Sequence, residues 1–418
     1  MNELRAIIEA YEGTKLSGAR AVLATVVRTS GSVYRRAGAR MLIAIGDNVC
    51  TVTGAISGGC LERDVCESAR GVLRKDAPTL VRYDTTAAED IVWGLGLGCN
   101  GVVEVLLEPL TTKSERRGDG EPDSPSPGVV IHPLKFIERC YDRRGRGVMA
   151  TVFKVEGARE VRTGARLLAD ADGILACDIA DHELRQRVAN DARTSLISNR
   201  SSNNEYESGE GRVDVFIEVI EPPVSLVVFG AGSDAVPVAR LAHELGWFVT
   251  IVDHRAAYVT STRFPETHEL IVCRPEHVAE RVRLDARTVT LVMTHNYEHD
   301  RSIIKTLLAS PARYVGCLGP KRRTEKLLTE LRDQEEDFAP TSEQLARLYA
   351  PIGLDIGAET PAEIALSILA EIRAVVAGRA AGFLRERGGA IHGESQIVHE
   401  VSATYQEARA DAAANLIA

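Results

Sequence analysis

The chain has 418 residues, 44% hydrophobic and 26% charged, with 50 Lys and Arg against 59 Asp and Glu for a formal net charge of -9. This near-average composition excludes wholesale disorder, a collagen-like repeat and a disulfide-stapled miniature, and at roughly 150 residues per domain it points to two or three domains. Net acidity without a basic run or an aromatic-interleaved basic stripe argues against nucleic acid, and the longest apolar stretches, such as Leu226 to Ala231, fall far short of the ~20 residues of a membrane span.

Met1 to Glu12 reads as an amphipathic helix carrying acids, without the basic and apolar regions of an export signal, so a cytoplasmic location is expected. Further on, the turn residues Ser30 to Ser32 and Gly38 stand among three guanidinium groups, Arg35, Arg36 and Arg40. Gly54, Gly58 and Gly59 then bring flexible backbone up to Cys60 and Glu62, just ahead of a helix, where a thiol is biased toward thiolate. Cys99 sits in a second glycine-rich turn, GLGLGCNG. Two thiols on two glycine loops suit a soft metal or a sulfur-transfer ligand, with buried structural thiols as the competing reading. Cys50, Cys66, Cys140, Cys177, Cys273 and Cys317 read as core thiols, since there is no C-x-x-C and no zinc-like quartet.

Thr111 to Gly128, with three prolines among Ser, Gly, Asp and Arg, reads as a linker. Across it the sequence repeats. Ala21 to Val26 (AVLATV) is echoed by Gly147 to Val152 (GVMATV), and Arg36 to Ile43 (RAGARMLI) by Arg162 to Ala169 (RTGARLLA), both at a shift of 126. Leu61 to Leu73 matches Leu184 to Leu196 loosely, and VVEVLLEP ending at Pro109 matches DVFIEVIEP ending at Pro222. Residues 1–110 are therefore expected to form one α+β module, and 129–223 a degenerate second copy. The second copy has ILACDIADHE in place of GAISGGCLE and lacks GLGLGCNG, so the chemistry of this part is assigned to the first. Ser198 to Arg212 reads as a long surface loop.

From Ser225 short β-branched runs alternate with helical patterns, the grammar of a doubly wound parallel sheet over 224–388. Strands are expected at Leu226 to Phe229, Phe248 to Val252, Leu270 to Val272, Val289 to Met293 and Tyr314 to Leu318. Gly230, Gly232 and Ala235 form G-x-G-x-x-A between strand and helix, a Rossmann pattern that places a diphosphate on the backbone. Asp253 at the next strand end suits a ribose, and Arg255 an additional phosphate. The bland alternative gives the glycines to packing and Asp253 to a turn. His295, His299 and Asp300 in THNYEHD suit a metal or acid–base work, or else Asp300 caps the next helix. Lys321, Arg322 and Arg323 at a helix start oppose the dipole and point to an anionic ligand, with solvated cations as the alternative. Thr360, Pro361 and Glu363 mark the start of a helix over Glu359 to Arg373, and 389–418 reads as a polar tail.

Taken together, GSVYRRAGARMLI, GAISGGCLE and GCNG in the first part, and LVVFGAG, VTIVDHR, VMTHNYEHD, YVGCLGPKRR and APIGLDIGAETPAEIALSILAEI in the second, resemble the XdhC/CoxI family of xanthine dehydrogenase accessory proteins. The resemblance covers most of 15–110 and 225–375 but not the middle copy or the tail. It implies a maturation factor rather than an enzyme: one that binds molybdenum cofactor, as molybdopterin or its cytosine dinucleotide, assists its sulfuration by a cysteine desulfurase and delivers it to an apo molybdenum hydroxylase. On that reading the cofactor-binding residues are Gly230, Gly232, Asp253, Arg255, Lys321, Arg322, Arg36, Arg40, Gly58, Gly59, Cys60, Glu62 and Cys99, with Cys60 and His295 as metal ligands, and a homodimer stays open. Ser233 where the family commonly has His, Asn296 and Tyr297 within its THDH string, and Asn100 within its CGG string mark a divergent subgroup. The alternative is an NAD(P)-dependent oxidoreductase using the same glycine loop.

Overall fold

The computed structural model describes residues 3–46, 49–84, 100–110, 132–157, 160–209, 211–334 and 338–386. The expected linker, the Cys99 loop up to Cys99 itself and the expected tail lie outside these residues. The chain forms two compact units divided between Pro222 and Pro223.

In the first unit α1 (Glu3–Ser17) is followed by β1 (Arg20–Ser32), β2 (Arg40–Ile45), β3 (Cys50–Gly54), α2 (Glu62–Lys75), β4 (Thr79–Asp84) and β5 (Asn100–Leu110). The strands make an antiparallel sheet of order β3-β2-β1-β5-β4. Then α3 (Pro133–Asp142), β6 (Gly147–Glu156), β7 (Arg166–Asp170), β8 (Gly173–Cys177), α4 (His182–Ser198), β9 (Ser202–Ser208) and β10 (Gly211–Ile220) make a second sheet of order β8-β7-β6-β10-β9. The two orders are the same. Ala21 opposite Ala44 in β1–β2 becomes Gly147 opposite Asp170 in β6–β7, which carries the shift of 126 into the ladder.

Two expectations are corrected here. Leu23 stands opposite Glu108 and Met149 opposite Glu218, so the last strands are related by a shift of 110, and the counterpart of Glu108 is Glu218 rather than Glu221. Strand pairing sets the register, and the short matching EP string misleads. Ser198 to Arg212 is no loop: it ends α4 and supplies β9 and the start of β10. Its inward positions are marked by only Tyr206 and Ser208, so the two-residue period of this polar edge strand is faint in the sequence.

One face of each sheet is covered by its own helix. Val65, Ala69 and Val72 of α2 pack on Val22, Ala24 and Val26, and Leu184, Val188 and Ala192 of α4 pack on Val148, Ala150 and Val152. The opposite faces share one core in which α1 and α3 meet Leu23, Leu42, Met149 and Leu168, with Val27, Leu106, Phe153 and Phe216 forming a small cluster beside it. Inside this shared core lie two ion pairs. Arg40 from β2 donates to both carboxylate oxygens of Glu218, and Arg166 from β7 donates to Glu108. Arg40 is 2% exposed and Arg166 7%. Each pair is the image of the other, and each bridges the two copies. Arg40, assigned to cofactor on sequence, therefore spends its charge inside the protein.

The second unit contains β11 (Ser225–Phe229), α5 (Ala235–Glu244), β12 (Phe248–Asp253), β13 (Glu269–Val272), α6 (Val278–Arg281), β14 (Thr288–Val292), α7 (Tyr297–Ala309), β15 (Tyr314–Cys317), α8 (Lys321–Gln334), α9 (Ser342–Ala346), β16 (Leu348–Tyr349) and α10 (Pro361–Ala377). The sheet is parallel, of order β13-β12-β11-β14-β15-β16, a Rossmann-like doubly wound sheet. α5 and α10 pack on one face, and α7 and α8 on the other. Thr360 and Glu363 complete the capping box at the start of α10. Strand order reverses between β11 and β14, which opens a crevice at their carboxyl ends.

Glu218→Ala leaves the Arg40 guanidinium buried without its partner and should cost about 3–5 kcal/mol. The double variant Arg40→Met/Glu218→Leu should recover most of that loss. Urea unfolding of the wild type and both variants measures it; equal stability of the single variant and wild type would show that the pair is not buried in solution.

Candidate functional site

The loops at the carboxyl ends of β11, β12, β14 and β15 gather the expected residues of the second unit. Gly230 has φ 114°, and a Cβ there would lie 2.3 Å from the Met293 carbonyl oxygen, so only glycine lets the turn pass over the end of β14. A Cβ on Gly232 would lie 2.6 Å from Oδ1 of Asp234. Both glycines thus make room for protein atoms.

Asp253 is committed as well. Its carboxylate accepts the Ala231 N–H at 2.8 Å, and Arg255 donates to it through its backbone N–H, Nε and Nη2 at 2.9, 2.9 and 2.7 Å. Burial pushes the Asp253 pKa up, but the Arg255 guanidinium and the two backbone donors outweigh it and hold it at about 2. Arg263 grips the same residue from its other side, donating to the Ala231 carbonyl at 2.7 Å, and Arg255 and Arg263 both lie over the Tyr258 ring. The pairing expected between Asp253 and a ribose gives way to a clamp that shapes the glycine turn.

Beside this turn, Asp234 Oδ2 meets Nε2 of His295 at 2.7 Å. His295 has φ 58°, a left-handed conformation uncommon outside glycine, and its side chain is 62% exposed. Oδ1 of Asp234 is buried and has no hydrogen-bond partner. Asn296, not Asp300, caps α7 by accepting the N–H groups of Glu298 and His299. Asp300 is 1% exposed, accepts the Thr294 hydroxyl at 2.5 Å and faces Nη2 of Arg323 at 2.6 Å. His299 meets the ring of His254 edge-on, with centroids 4.6 Å apart. Of the three cations opening α8, Arg323 is thus held by Asp300 and Lys321 stands 3.7 Å from Glu325, while Arg322 is exposed and has no ion pair among the described residues.

In the first unit, the Ser57 hydroxyl oxygen accepts the N–H groups of Gly59, Cys60 and Leu61 at 3.1–3.2 Å and gives its own hydrogen to Glu62 at 2.5 Å. Glu62 also accepts the Ser57 N–H at 2.8 Å. Partial burial pushes the Glu62 pKa up, and these donors more than reverse it, leaving it below the ordinary carboxylate value. Glu62 therefore shapes the loop rather than facing a ligand. The ring of the exposed Tyr34 lies over Gly58, Gly59 has φ 110°, and Cys60 packs partly buried against the core under α2. Arg36 is exposed on the neighbouring turn. Cys99 lies outside the described residues. Cys50, expected in the core, is exposed at the start of β3. Cys60 and His295 belong to different units, and no group of three or more His, Cys, Asp or Glu among the described residues is placed to hold a metal.

Ser57, Asp234 and Arg263 were not signalled as site residues by the motifs. Ser57 stands too far ahead of α2 to read as its cap, whereas Asp234 occupies the slot before a helix, where an acid reads as a cap.

The sequence model of the XdhC Rossmann domain matches residues 226–372, and that of the XdhC and CoxI family matches 15–84 and 140–207, so the middle copy is carried by the family after all. The chain is 33% identical over 355 residues to a probable xanthine dehydrogenase subunit of Bacillus subtilis (strain 168), covering 84% of this chain and 92% of that one. It is 21% identical over 375 residues to the molybdenum cofactor insertion chaperone PaoD of Escherichia coli (strain K12), covering 89% and 87%. A crystal structure of a xanthine dehydrogenase from Bacillus halodurans superposes with a TM-score of 0.66 at 27% identity, covering 94% of this chain and 99% of that chain. No described helix is long and apolar enough to cross a membrane.

Asp253→Asn should lower stability by about 2 kcal/mol at neutral pH. Because the folded pKa lies below the ordinary carboxylate value, the contribution is complete above about pH 4 and disappears as pH falls toward 2. Urea unfolding of both proteins at pH 7, 5, 4 and 3 should show the gap closing only in the last interval.

Proposed function

The chain belongs to the XdhC and CoxI family, and on that footing we propose that it is an accessory protein that binds molybdenum cofactor and assists its insertion into a xanthine dehydrogenase-type molybdenum hydroxylase. The length of the similarity to a protein named as a molybdenum cofactor insertion chaperone supports this. The observation that carries it to residues is Asp234, whose buried Oδ1 has no partner at the mouth of the switch-point crevice. An unpaired carboxylate oxygen there calls for an N–H donor. The amino and ring N–H groups of a pterin supply one, whereas a diphosphate at Gly232 would be repelled by the same carboxylate. The cofactor's phosphate is assigned instead to Arg322 and Lys321 at the start of α8, where the helix dipole also favours an anion.

In this arrangement Asp253 and Arg263 hold the glycine turn, and Asp234 orients the pterin while His295 fixes the carboxylate. The cofactor, when bound, supplies the molybdenum and dithiolene chemistry of the client enzyme. Sulfuration is assigned to the first unit: Cys60, on the loop organised by Ser57 and Glu62, would present the thiol on which a cysteine desulfurase could load sulfur. Asp253, engaged by Arg255 and Ala231, is poorly suited to a nicotinamide ribose, which weighs against the oxidoreductase reading.

Incubating purified protein with molybdenum cofactor released from a hydroxylase, then measuring bound molybdenum and pterin fluorescence, tests this. Wild type should take up the cofactor, and Asp234→Asn should weaken binding roughly 10- to 100-fold, the worth of a hydrogen bond to a charged group. Cys60→Ala should bind the cofactor but fail to raise the activity of a co-incubated apo-hydroxylase. Undiminished uptake by Asp234→Asn would remove the crevice from the site, and tight NADH binding with no pterin uptake would overturn the proposal.

A further inference from the structure

The second copy carries a cleft that no part of the cofactor reading uses. It measures about 850 Å³ and is walled by the C-terminal halves of α3 and α4 and by the turn between β7 and β8. Its base is apolar, with Val148 and Ala169, and Ile174 and Ile197 stand 49% and 78% exposed along it. Four guanidinium groups line it, those of Arg139, Arg143, Arg146 and Arg193, against the carboxylates of Asp170 and Asp172. Arg139 is 3.6 Å from Asp170, and Arg146 is 3.2 Å from Glu221. Arg143 and Arg193 are exposed and have no ion pair among the described residues.

Comparison with the first copy separates what the fold requires from what this cleft adds. The buried positions Ile8, Tyr11 and Thr14 of α1 correspond at the shift of 126 to Leu134, Ile137 and Cys140 of α3, and Gly18 and Arg144, both at positive φ, correspond likewise. At the same shift Arg139 and Arg143 replace Gly13 and Ser17. The left-handed C-caps Asp76 of α2 and Asn199 of α4 set a shift of 123, at which Ile197 replaces Arg74. The copy that lost GAISGGCLE thus gained Arg139, Arg143 and the exposed Ile197 around one concavity and lost the cation of Arg74, while Arg193 keeps the cation that Arg70 holds in the first copy. None of the three gains serves the core, because the first copy folds the same way without them.

We propose that this cleft binds a phosphorylated heteroaromatic small molecule of nucleotide size, with its phosphate between Arg143 and Arg193 and its ring against Ile174 and Ile197. Guanidinium groups without carboxylate partners match a phosphate in charge and in planar donor geometry. The volume suits a small ligand, since such pockets run to roughly 300–1,000 Å³. The mixture of apolar base and cationic rim excludes a bare inorganic anion as the best fit.

Calorimetric titration with CMP and GMP, and with cytidine and guanosine as phosphate-free controls, tests it. At least one monophosphate should bind saturably, and its nucleoside at least about ten-fold more weakly, about 1.4 kcal/mol or more. Arg143→Glu/Arg193→Glu should lose at least ten-fold in affinity at an unchanged melting temperature, and Arg143→Lys/Arg193→Lys should fall between. Asp234→Asn and His295→Ala should titrate as wild type, which separates this cleft from the crevice of the second unit. Failure of both monophosphates to saturate, undiminished binding in the double Glu variant, or loss of binding with Asp234→Asn would each overturn the proposal. So would binding of a poly-glutamate peptide to wild type but not to the double Glu variant without nucleotide binding, which would make the cleft a docking site for an acidic protein segment.

Discussion

A charge removed from water must find an opposite charge or a set of donors, and that requirement organises both units of this chain. In the first, two guanidinium groups sit in the core shared by two sheets, and each is answered by a glutamate of the other copy. In the second, Asp253 and Asp300 are buried at the carboxyl ends of the strands and are answered by Arg255 and Arg323. The pairs across the first unit bring little net stability when set against apolar residues of the same volume. Their value lies in orientation: a sheet turned over or slid by one position would leave a buried charge alone, so the pairs select one mutual arrangement of two similar modules.

The repeat gives this selection a simple form. Within the first unit, two copies of the same strand order pack through equivalent residues, Val27 and Leu106 from one and Phe153 and Phe216 from the other, with the Arg and Glu positions repeated alongside. A duplicated module can diverge freely where it faces solvent and hardly at all where it faces its twin. The first copy keeps a serine-organised glycine loop ahead of α2. The second replaces it with Asp181, which caps α4 directly by accepting the Leu184 N–H, and so retains the helix without the loop.

Local patterns made much of the architecture readable. Five of the six strands of the parallel sheet fall within a residue of their expected limits because β-branched runs mark them, the two-residue β16 being too short to leave such a run, and α10 begins where Thr360, Pro361 and Glu363 announce it. What escaped was non-local. Arg40 and Glu218 are 178 residues apart, so nothing near Arg40 distinguishes a buried structural guanidinium from one awaiting a phosphate. Asp253 stands in the position of a ribose-binding acid, and only the fold reveals that the Ala231 N–H and Arg255 occupy it. The polar strand β9 escaped for a different reason, since an edge strand with few inward residues carries almost no period of two.

Once the internal pairs are subtracted, few polar groups at the switch-point crevice remain available: the unpartnered oxygen of Asp234, its neighbour His295 held in a left-handed conformation, and Arg322. The left-handed backbone of His295 places its ring on Oδ2 of Asp234, but the unsatisfied buried Oδ1 costs stability that no contact within the described residues repays. A ligand that donates a hydrogen bond to Asp234 would relieve that cost. The G-x-G-x-x-A turn is then a means of placing an acid, rather than a cradle for phosphate. On the proposed function, the fold that elsewhere presents backbone N–H groups to an anion would here present a carboxylate, and the donor-rich ring of the ligand rather than its phosphate would face the glycine turn.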